Sequence, residues 1–587
     1  MRRVSPLLLV LVAATLVGVA LVWPVWAAPG SLAPGTRFTD GHLIGVALWG
    51  EALARGELPA LTTPLVGWPG GAALRPLLWP SALLGALTGP ALAVNLTFAL
   101  VPAFNVLAGA LLGRALGRSA AGSALLGGLL AAHPWVVETL TNGQVEQAVL
   151  GGAAMQLAAG LWAARGPAVR IVVPMAVTAL VGWAAPHVAL AGAVLTGLFG
   201  TFELVDALRR RDRTGARWLA VLMAVALGAL AVQAYHGPSF APGVHVFSPK
   251  GSDGRPTSLA DLPEVATLRG LLMPPAARPT VPVFHPTWLG ACALVGAAWA
   301  LGAALWRGRA AGLDALAEAR AGARPRAPGP GRFVAIAALF ALLALGPSTQ
   351  VGATTLPLPW AALGVVAPTV LKSMSAYRMV AGAVIALAAA ASAAPRAAGS
   401  ALLLAGLALL EGPLAATRPM PIAAQVAHVD GGRSARAAGE GPVLDLPLAG
   451  AECPNGAGHY LLEAAVTGRP VPLLLKNPRE GYAAVPELAG GLARTWSRAD
   501  CATALPSFLA RLPFPTVVLH RHDRHCPAPK RMVDCLEAAL GPGTTEGGVT
   551  WWDVESAGES WRPVQAPRPS GGRRGGPDQP PPVSGSP

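Results

Sequence analysis

The sequence predicts a mainly α protein: a polytopic bundle of about eleven transmembrane helices followed by a small extracytoplasmic α/β domain. Three observations carry that expectation. Of the 587 residues, 53% are hydrophobic and only 13% are charged, whereas soluble domains carry about 25% charged residues. Apolar stretches approaching the ~20 residues that a membrane helix needs recur as far as residue 414. After residue 416 the composition becomes that of a soluble domain of about 150 residues, an ordinary size for one domain.

The first span runs from Pro6 to Val25 behind Met1-Arg-Arg3. It is longer than the ~7–15 residues of a signal-peptide core, so it reads as an uncleaved helix with a cytoplasmic N-terminus. Further spans fall at about 90–112, 119–134, 145–163, 169–185, 187–205, 217–235, 287–306, 333–346, 379–394 and 398–414. Leu77 to Leu87 would put the arginine-bearing loops on opposite sides if it crossed, so it reads as re-entrant or interfacial. The spans hold almost no charge, Glu411 being the clearest exception. That disfavours an ion-coupled transporter, which keeps ionisable groups at mid-membrane.

Arginine sets the orientation. Arg114 and Arg118, Arg165 and Arg170, Arg209 to Arg217, Arg307 to Arg332, and Arg396 all fall in alternate loops. The positive-inside rule makes those loops cytoplasmic and places the C-terminus outside. The net charge of +14 is nearly all Arg, since Lys occurs only at Lys250, Lys372, Lys476 and Lys530. The alternation of arginine-bearing loops along the membrane spans speaks for a lipid bilayer as partner and against nucleic acid.

The opposite loops carry the polar side chains. The first, 27–76, contains Arg37-Phe-Thr-Asp40-Gly-His42 and then an amphipathic stretch. Leu43, Val46, Ala47, Gly50, Leu53 and Ala54 share one helical face, and Glu51 and Arg55 form an i,i+4 pair. Asp40 is expected to cap a helix beginning at Gly41. That helix is too short and charged to span, so it should lie along one side of the membrane. The second polar segment is 133–146, with His133, Glu138, Asn142, Gln144 and Glu146, side chains suited to hydrogen-bonding a sugar or to satisfying helix ends. The third is the Pro-rich loop 236–286, with a short helix near 259–272. The fourth, 347–378, ends in Lys372 and Arg378, cations at the outer end of a span that suit a lipid phosphate.

In the domain 417–565, short apolar runs at 443–448, 471–475, 516–519 and 549–554 read as strands. Segments 460–466, 485–493, 502–512 and 530–540 read as helices, and 566–587, rich in Pro, Gly and Arg, reads as a disordered tail. Cys453, Cys501, Cys526 and Cys535 all fall in this domain while Cys292 stands alone in a span. Four Cys on an outer face suggest two disulfides, with three pairings open. His520-Arg-His-Asp-Arg-His-Cys526 carries zinc-type ligand residues but lacks a matching C-x-x-C, so no metal ligand is assigned. P-loop, G-x-G-x-x-G, G-x-S-x-G and H-E-x-x-H motifs are absent. Asn95-Leu-Thr97 matches a glycosylation sequon inside an apolar span and is discounted.

Asp40-Gly-His42, the Trp68-Pro-Gly-Gly71 turn and His133-Pro134 with Asn142-Gly-Gln144 together resemble bacterial polytopic proteins of the GT-C glycosyltransferase superfamily. Leu356-Pro-Leu-Pro before Tyr377-Arg378 is similar too, as are Val443-Leu-Asp-Leu-Pro447, Gly468-Arg-Pro470 and Thr516-Val-Val-Leu-His-Arg521 in the outer domain. The sequence departs from the family at Met374-Ser-Ala-Tyr-Arg378, where relatives often have R-x-P-x-R, and in the isolation of Asp40 from a second acidic residue. The resemblance implies sugar transfer from a polyprenyl-phosphate donor to a glycan, lipid or protein acceptor at the outer face of a bacterial plasma membrane. Asp40 would be the general base, and Arg378 or Lys372 would stabilise the departing phosphate. His42, Glu51, Arg55, His133, Glu138, Asn142 and Gln144 complete the candidate binding set. The cofactor is left open, with room for a divalent metal. The alternative expectation is a non-catalytic scaffold whose outer domain engages a cell-envelope partner.

Overall fold

The computed structural model describes residues 5–36, 39–54, 56, 62–63, 72–73, 79–211, 214–236, 266–273, 287–311, 328–346, 348–351, 354–359, 376–394, 398–418, 420–426, 441–448, 469, 471, 484–521, 528–546 and 549–554. The chain divides into two compact units, Met1–Pro59 with Arg75–His428, and Ala60–Leu74 with Val429–Pro587.

The first unit is helical. Its helices are α1 (Pro6–Leu21), α2 (Thr39–Ala54), α3 (Trp79–Thr88), α4 (Pro90–Ala115), α5 (Ala120–Ala131), α6 (Pro134–Thr141), α7 (Val145–Ala148) and α8 (Leu150–Ala164). There follow α9 (Val172–Ala184), α10 (Pro186–Arg210), α11 (Thr214–His236), α12 (Leu268–Leu272), α13 (Ala291–Ala311), α14 (Pro330–Ala344), α15 (Val380–Ala391) and α16 (Ala398–Ala415). Each of the eleven expected spans contains one of these helices. Among the described residues, five segments are long and apolar enough to cross a bilayer, and six apolar helices are shorter, at 10–17 residues. The unit is a multi-pass membrane domain. Proline stands in the first turn of α1, α4, α6, α10 and α14, where its missing N–H costs nothing and its fixed φ suits a helix start. At ten residues, α3 is about 15 Å long, half a bilayer core.

Close packing follows from small residues, since lipid tails give apolar side chains no reason to leave them. A Cβ on Gly113 of α4 would come within 2.7 Å of Ser123 Cα on α5, and one on Gly109 within 2.8 Å of Gly127 Cα. Buried Asn105 ties three elements, donating to Leu130 O (3.3 Å) and Ala148 O (2.9 Å) and accepting from Gly151 N (2.8 Å). Asn95 of the discounted sequon is fully buried and donates to Pro29 O and Leu32 O at 3.0 and 2.8 Å.

The two ends of this unit differ in chemistry. At one end the arginine-bearing segments meet. Arg118 donates to Pro328 O (3.1 Å) and Ala389 O (3.5 Å), and Arg165 donates to Ala115 O. Arg332 pairs with Glu203 and Asp206. Burial pushes the Arg118 guanidinium down to about 10. At the other end the polar segments of alternate loops converge. Strand β1 (Leu32–Pro34) pairs antiparallel with Ala424–Val426, so the chain after α16 is laid against the first loop. Ile422 N donates to Leu21 O at 2.8 Å, fastening the same segment to the end of α1. Sequence patterning missed this pairing, because each strand is three residues long.

Strands are numbered onward in chain order: β2 (Thr62–Thr63), β3 (Ala72–Ala73), β4 (Ser348–Val351), β5 (Thr354–Pro357) and β6, the Ala424–Val426 strand above. β4 and β5 form an antiparallel hairpin in the fourth polar segment. The second unit contains β7 (Val443–Leu446), β8 (Thr516–His520), β9 (Thr544–Glu546) and β10 (Val549–Asp553), in the order β7-β8-β10-β9. β7 and β8 run parallel, and the other pairings are antiparallel. Helices α17 (Ala484–Ser497), α18 (Cys501–Leu509) and α19 (Lys530–Leu540) belong to the same unit. Leu444, Leu446, Leu492, Leu505, Val517, Leu519, Leu536 and Trp552 are among the residues of one apolar core. β9 was not expected, because its Thr-Thr-Glu is wholly exposed and offers no apolar alternation. The expected elements at 460–466 and most of 471–475, and the tail 566–587, lie outside the described residues.

A disulfide joins Cys501 at the start of α18 to Cys535 in α19, with Cα atoms 5.9 Å apart. Cys292 is free. Cys453 and Cys526 lie outside the described residues.

Candidate functional site

The polar end of the first unit is built around α2 and the turn after α6. Buried Thr36 and Thr39 set where α2 begins. Their hydroxyls lie 2.7 Å apart, Thr36 N donates to Thr39 Oγ1 at 3.3 Å, and the Thr39 hydroxyl reaches Pro34 O. The helix therefore starts at Thr39, and Asp40 stands inside its first turn and not at the capping position expected for it. A carboxylate in a first turn is favoured by the helix dipole. The side chains of Asp40 and Glu51, and the whole of Arg55 and Lys372, lie outside what the structure describes.

His42 follows on the same turn of α2, and its Nε2 donates to Gly143 O. Burial holds this imidazole below the usual histidine range, with the Glu146 charge and the Gly143 bond acting the other way. The acceptor is presented by a helix terminus that needs glycine. Gly143 has φ +78°, its N–H bonds Leu140 O at 2.9 Å, and Gln144 N bonds Thr139 O at 2.8 Å. Those two bonds close a Schellman motif at the end of α6 and leave Gly143 O free to face α2.

The start of α6 uses His133. Its Nδ1 accepts from Trp135 N at 3.1 Å and its Nε2 donates to Leu289 O at 2.9 Å. Both ring nitrogens are thus occupied, and the side chain is buried. Glu138 is also buried and accepts twice from Thr417, at the backbone N–H (2.9 Å) and the hydroxyl (2.5 Å). Of the predicted binding residues, these two are committed to helix capping and to holding the chain after α16. Asn142 ends α6 and is fully buried. Gln144 Oε1 is buried with no hydrogen-bond partner among the described residues. A buried acceptor in that state is suited to a donor from a ligand or water.

The other side of the same turn receives the fourth polar segment. Trp135 Nε1 donates to Gln147 O at 3.0 Å, and Tyr377 OH donates to Gln147 Oε1 at 3.4 Å. The Trp135 and Tyr377 rings stand 5.9 Å apart. Arg378 emerges from the one-turn helix Ala376–Met379, is half-buried, and donates from Nε to Tyr377 OH at 3.3 Å. Its Nη1 lies 2.9 Å from Nδ1 and 2.8 Å from Nε2 of His187, the second residue of α10. Among the described residues no carboxylate pairs with Arg378.

The turn 142–147 thus joins His42, and with it the helix carrying Asp40, to Gln144 and to Tyr377-Arg378. Sequence reasoning missed Gln147 and His187. Gln147 stands one residue past the polar segment 133–146, and His187 lies at the start of an apolar span without a motif. In the second unit, His520 bonds Asp445 at 2.9 Å across β7 and β8, both buried. No group of three His, Cys, Asp or Glu side chains suited to a metal occurs among the described residues, and His522, His525 and Cys526 fall outside them.

No family model matches the chain, and no curated protein matches it. Solved structures do match, and this chain shares its fold with AftD, a membrane glycosyltransferase of the GT-C fold. The arabinofuranosyltransferase AftD from Mycobacteria is 16% identical with a TM-score of 0.51, covering 90% of this chain and 38% of its own. The oligosaccharyltransferase AglB from Archaeoglobus fulgidus, solved with an inhibitory peptide and a dolichol-phosphate, is 14% identical with a TM-score of 0.47, over 88% of this chain and 69% of that one. ArnT from Cupriavidus metallidurans is 13% identical with a TM-score of 0.35, over 94% and 99%. At these identities the likeness is one of fold, and the AftD alignment carries it.

Proposed function

We propose that this protein is an integral membrane glycosyltransferase that moves a sugar from a polyprenyl-phosphate donor to an acceptor hydroxyl at the outer face of the membrane. One observation carries the reading: a single turn, 142–147, is bonded to the Asp40-bearing helix through His42 and to Tyr377-Arg378 through Gln147. A candidate base and a candidate phosphate-binding cation are thereby fixed to the same piece of backbone. The unpartnered Gln144 Oε1 adds an acceptor for a sugar hydroxyl.

In this reading Asp40 takes the proton from the acceptor hydroxyl as its oxygen attacks the anomeric carbon of the donor. The bond from that carbon to the phosphate oxygen breaks, and the electron pair leaves with the lipid phosphate. Arg378, held among the described residues by Tyr377 and His187, neutralises the charge that develops there. The positive-inside rule puts the arginine-bearing end of the bundle in the cytoplasm and this turn at the opposite face.

The test is complementation of a deletion strain, with lipid-linked glycans profiled and membrane levels of each variant matched. Asp40→Asn and Arg378→Gln should each lose product, by about 10²–10⁴-fold in rate for the base. Wild-type product from Asp40→Asn would overturn the reading in favour of a scaffold role.

A further inference from the structure

Arg378 is the cation that the proposed reaction leans on, yet a guanidinium on a long side chain has many rotamers and must be aimed to meet a phosphate with its planar fork. Its own neighbour Tyr377 supplies one fixed point, through Nε at 3.3 Å. A second fixed point comes from another helix, for His187 offers Arg378 Nη1 both of its ring nitrogens, at 2.9 and 2.8 Å. Either tautomer of a neutral imidazole therefore has an acceptor within reach.

The geometry on each side of this contact is rigid. His187 is in the first turn of α10, directly after Pro186, and α10 packs against both the one-turn helix Ala376–Met379 and α15. Tyr377 is almost fully buried between Trp135 and Gln147, and every residue of α15 is buried. Arg378 thus leaves a fixed turn and is caught by a fixed ring. With Nε and Nη1 engaged by Tyr377 and His187, Nη2 is the part of the fork with no partner among the described residues and is the edge left for an anion. The separation of 191 residues between the partners shows that the fold, and no local motif, makes this arrangement.

We infer that His187 is a positioning residue for Arg378, orienting its guanidinium toward the phosphate of the lipid donor. The inference rests on the phosphate role proposed for Arg378. It makes His187 a determinant of how well the protein tells a prenyl phosphate from a prenyl alcohol, and gives it no part in binding the prenyl chain.

The test uses the full-length protein in detergent, with farnesyl monophosphate and farnesol as the two probes in equilibrium binding. The wild type should prefer the phosphate, and Arg378→Gln should remove that preference. His187→Ala should weaken phosphate binding about tenfold, the loss of one bond to a charged group, and leave farnesol binding unchanged. His187→Asn, whose side-chain oxygen can still accept from Arg378, should lose less. Adding His187→Ala to Arg378→Gln should cost nothing more, because the two act through one contact. Equal losses for both probes, or full additivity with Arg378→Gln, would overturn the inference. A wild type that prefers the phosphate, together with an unchanged His187→Ala, would overturn the role of His187 alone. A wild type that does not distinguish the probes would overturn the phosphate role of Arg378 and this inference with it.

Discussion

Glu138 and Thr417, 279 residues apart, are joined by two hydrogen bonds, so that a buried carboxylate of α6 holds the chain just after α16. The same segment continues to Ile422, bonded to Leu21 O, and to β6, paired with β1 directly before α2. The turn 142–147 lies at the far end of α6. One carboxylate therefore helps to fix both the backbone leading into the Asp40 helix and the turn that His42 meets.

Removing that carboxylate should be costly. Bonds from a buried anion are worth roughly 1.5–3 kcal/mol each, and Glu138→Ala leaves the Thr417 N–H without its acceptor. The expected outcome is a clear fall in melting temperature of the purified protein. Thr417→Val, which keeps the backbone donor, should fall less, and the double variant should show less than the sum. Thermal unfolding in detergent, followed by tryptophan fluorescence, measures all three.

Glycine at 290 should be irreplaceable. Its φ is +80°, and an added Cβ would stand 2.6 Å from His133 Nε2. Gly290→Ala combines a strained backbone with displacement of the ring that caps α6 and donates to Leu289 O. We expect about 1–3 kcal/mol of destabilisation, read as lost folded yield at unchanged expression. Gly302→Ala on the neighbouring helix, where an added Cβ meets nothing within 4 Å, is the control.

Acid should destabilise the fold around His42, because a protonated ring there is a buried charge. Burial holds the His42 pKa below its ordinary 6.5, so the folded protein keeps this ring neutral while the unfolded chain takes up a proton. Below about pH 6.5 the unfolded state binds more protons, and stability falls as pH drops toward the folded pKa. Above pH 6.5 this contribution is fully present. His42→Gln should flatten that part of the stability–pH profile between pH 5 and 7, as measured by thermal unfolding across buffers.

The Cys501–Cys535 bond closes a separation of 34 residues and enters the core of the second unit at Cys535. In a chain-entropy estimate, losing such a crosslink costs about 3–4 kcal/mol, so the paired Ala variant should unfold well before the wild type. With these two Cys joined, an expected second disulfide has only Cys453 and Cys526 to use, since Cys292 is the free thiol. Peptide mapping without reductant should recover both linkages, and alkylated Cys453 would refute the second.

Much of the bundle was legible because the bilayer imposes a one-dimensional rule. A spanning helix must be apolar along its whole length, so each of the eleven hydropathy peaks holds a helix, and arginine marks alternate ends. The α/β unit was legible for a similar reason: runs such as Val443–Leu446 and Thr516–His520 alternate or cluster as strands must. Short elements were not. β1 and β6 are three residues each, and β9 is exposed polar chain. The start of α2 was placed two residues late, for the helix opens at Thr39, whose hydroxyl meets that of Thr36.

Sequence by itself determined which stretches enter the membrane, which end of the bundle collects arginine, and which polar residue types stand in the opposite loops. Those follow from composition and order, since the cost of burying a charge or a bare peptide group in lipid depends on local sequence. Tertiary structure alone decided which of those polar residues meet. It sent His133 and Glu138 to hold helix ends and brought His42 to Gly143 and Arg378 to His187 across 101 and 191 residues. Such pairings arise when helices far apart in sequence pack together, and a directional bond forms only where that packing places a donor beside an acceptor.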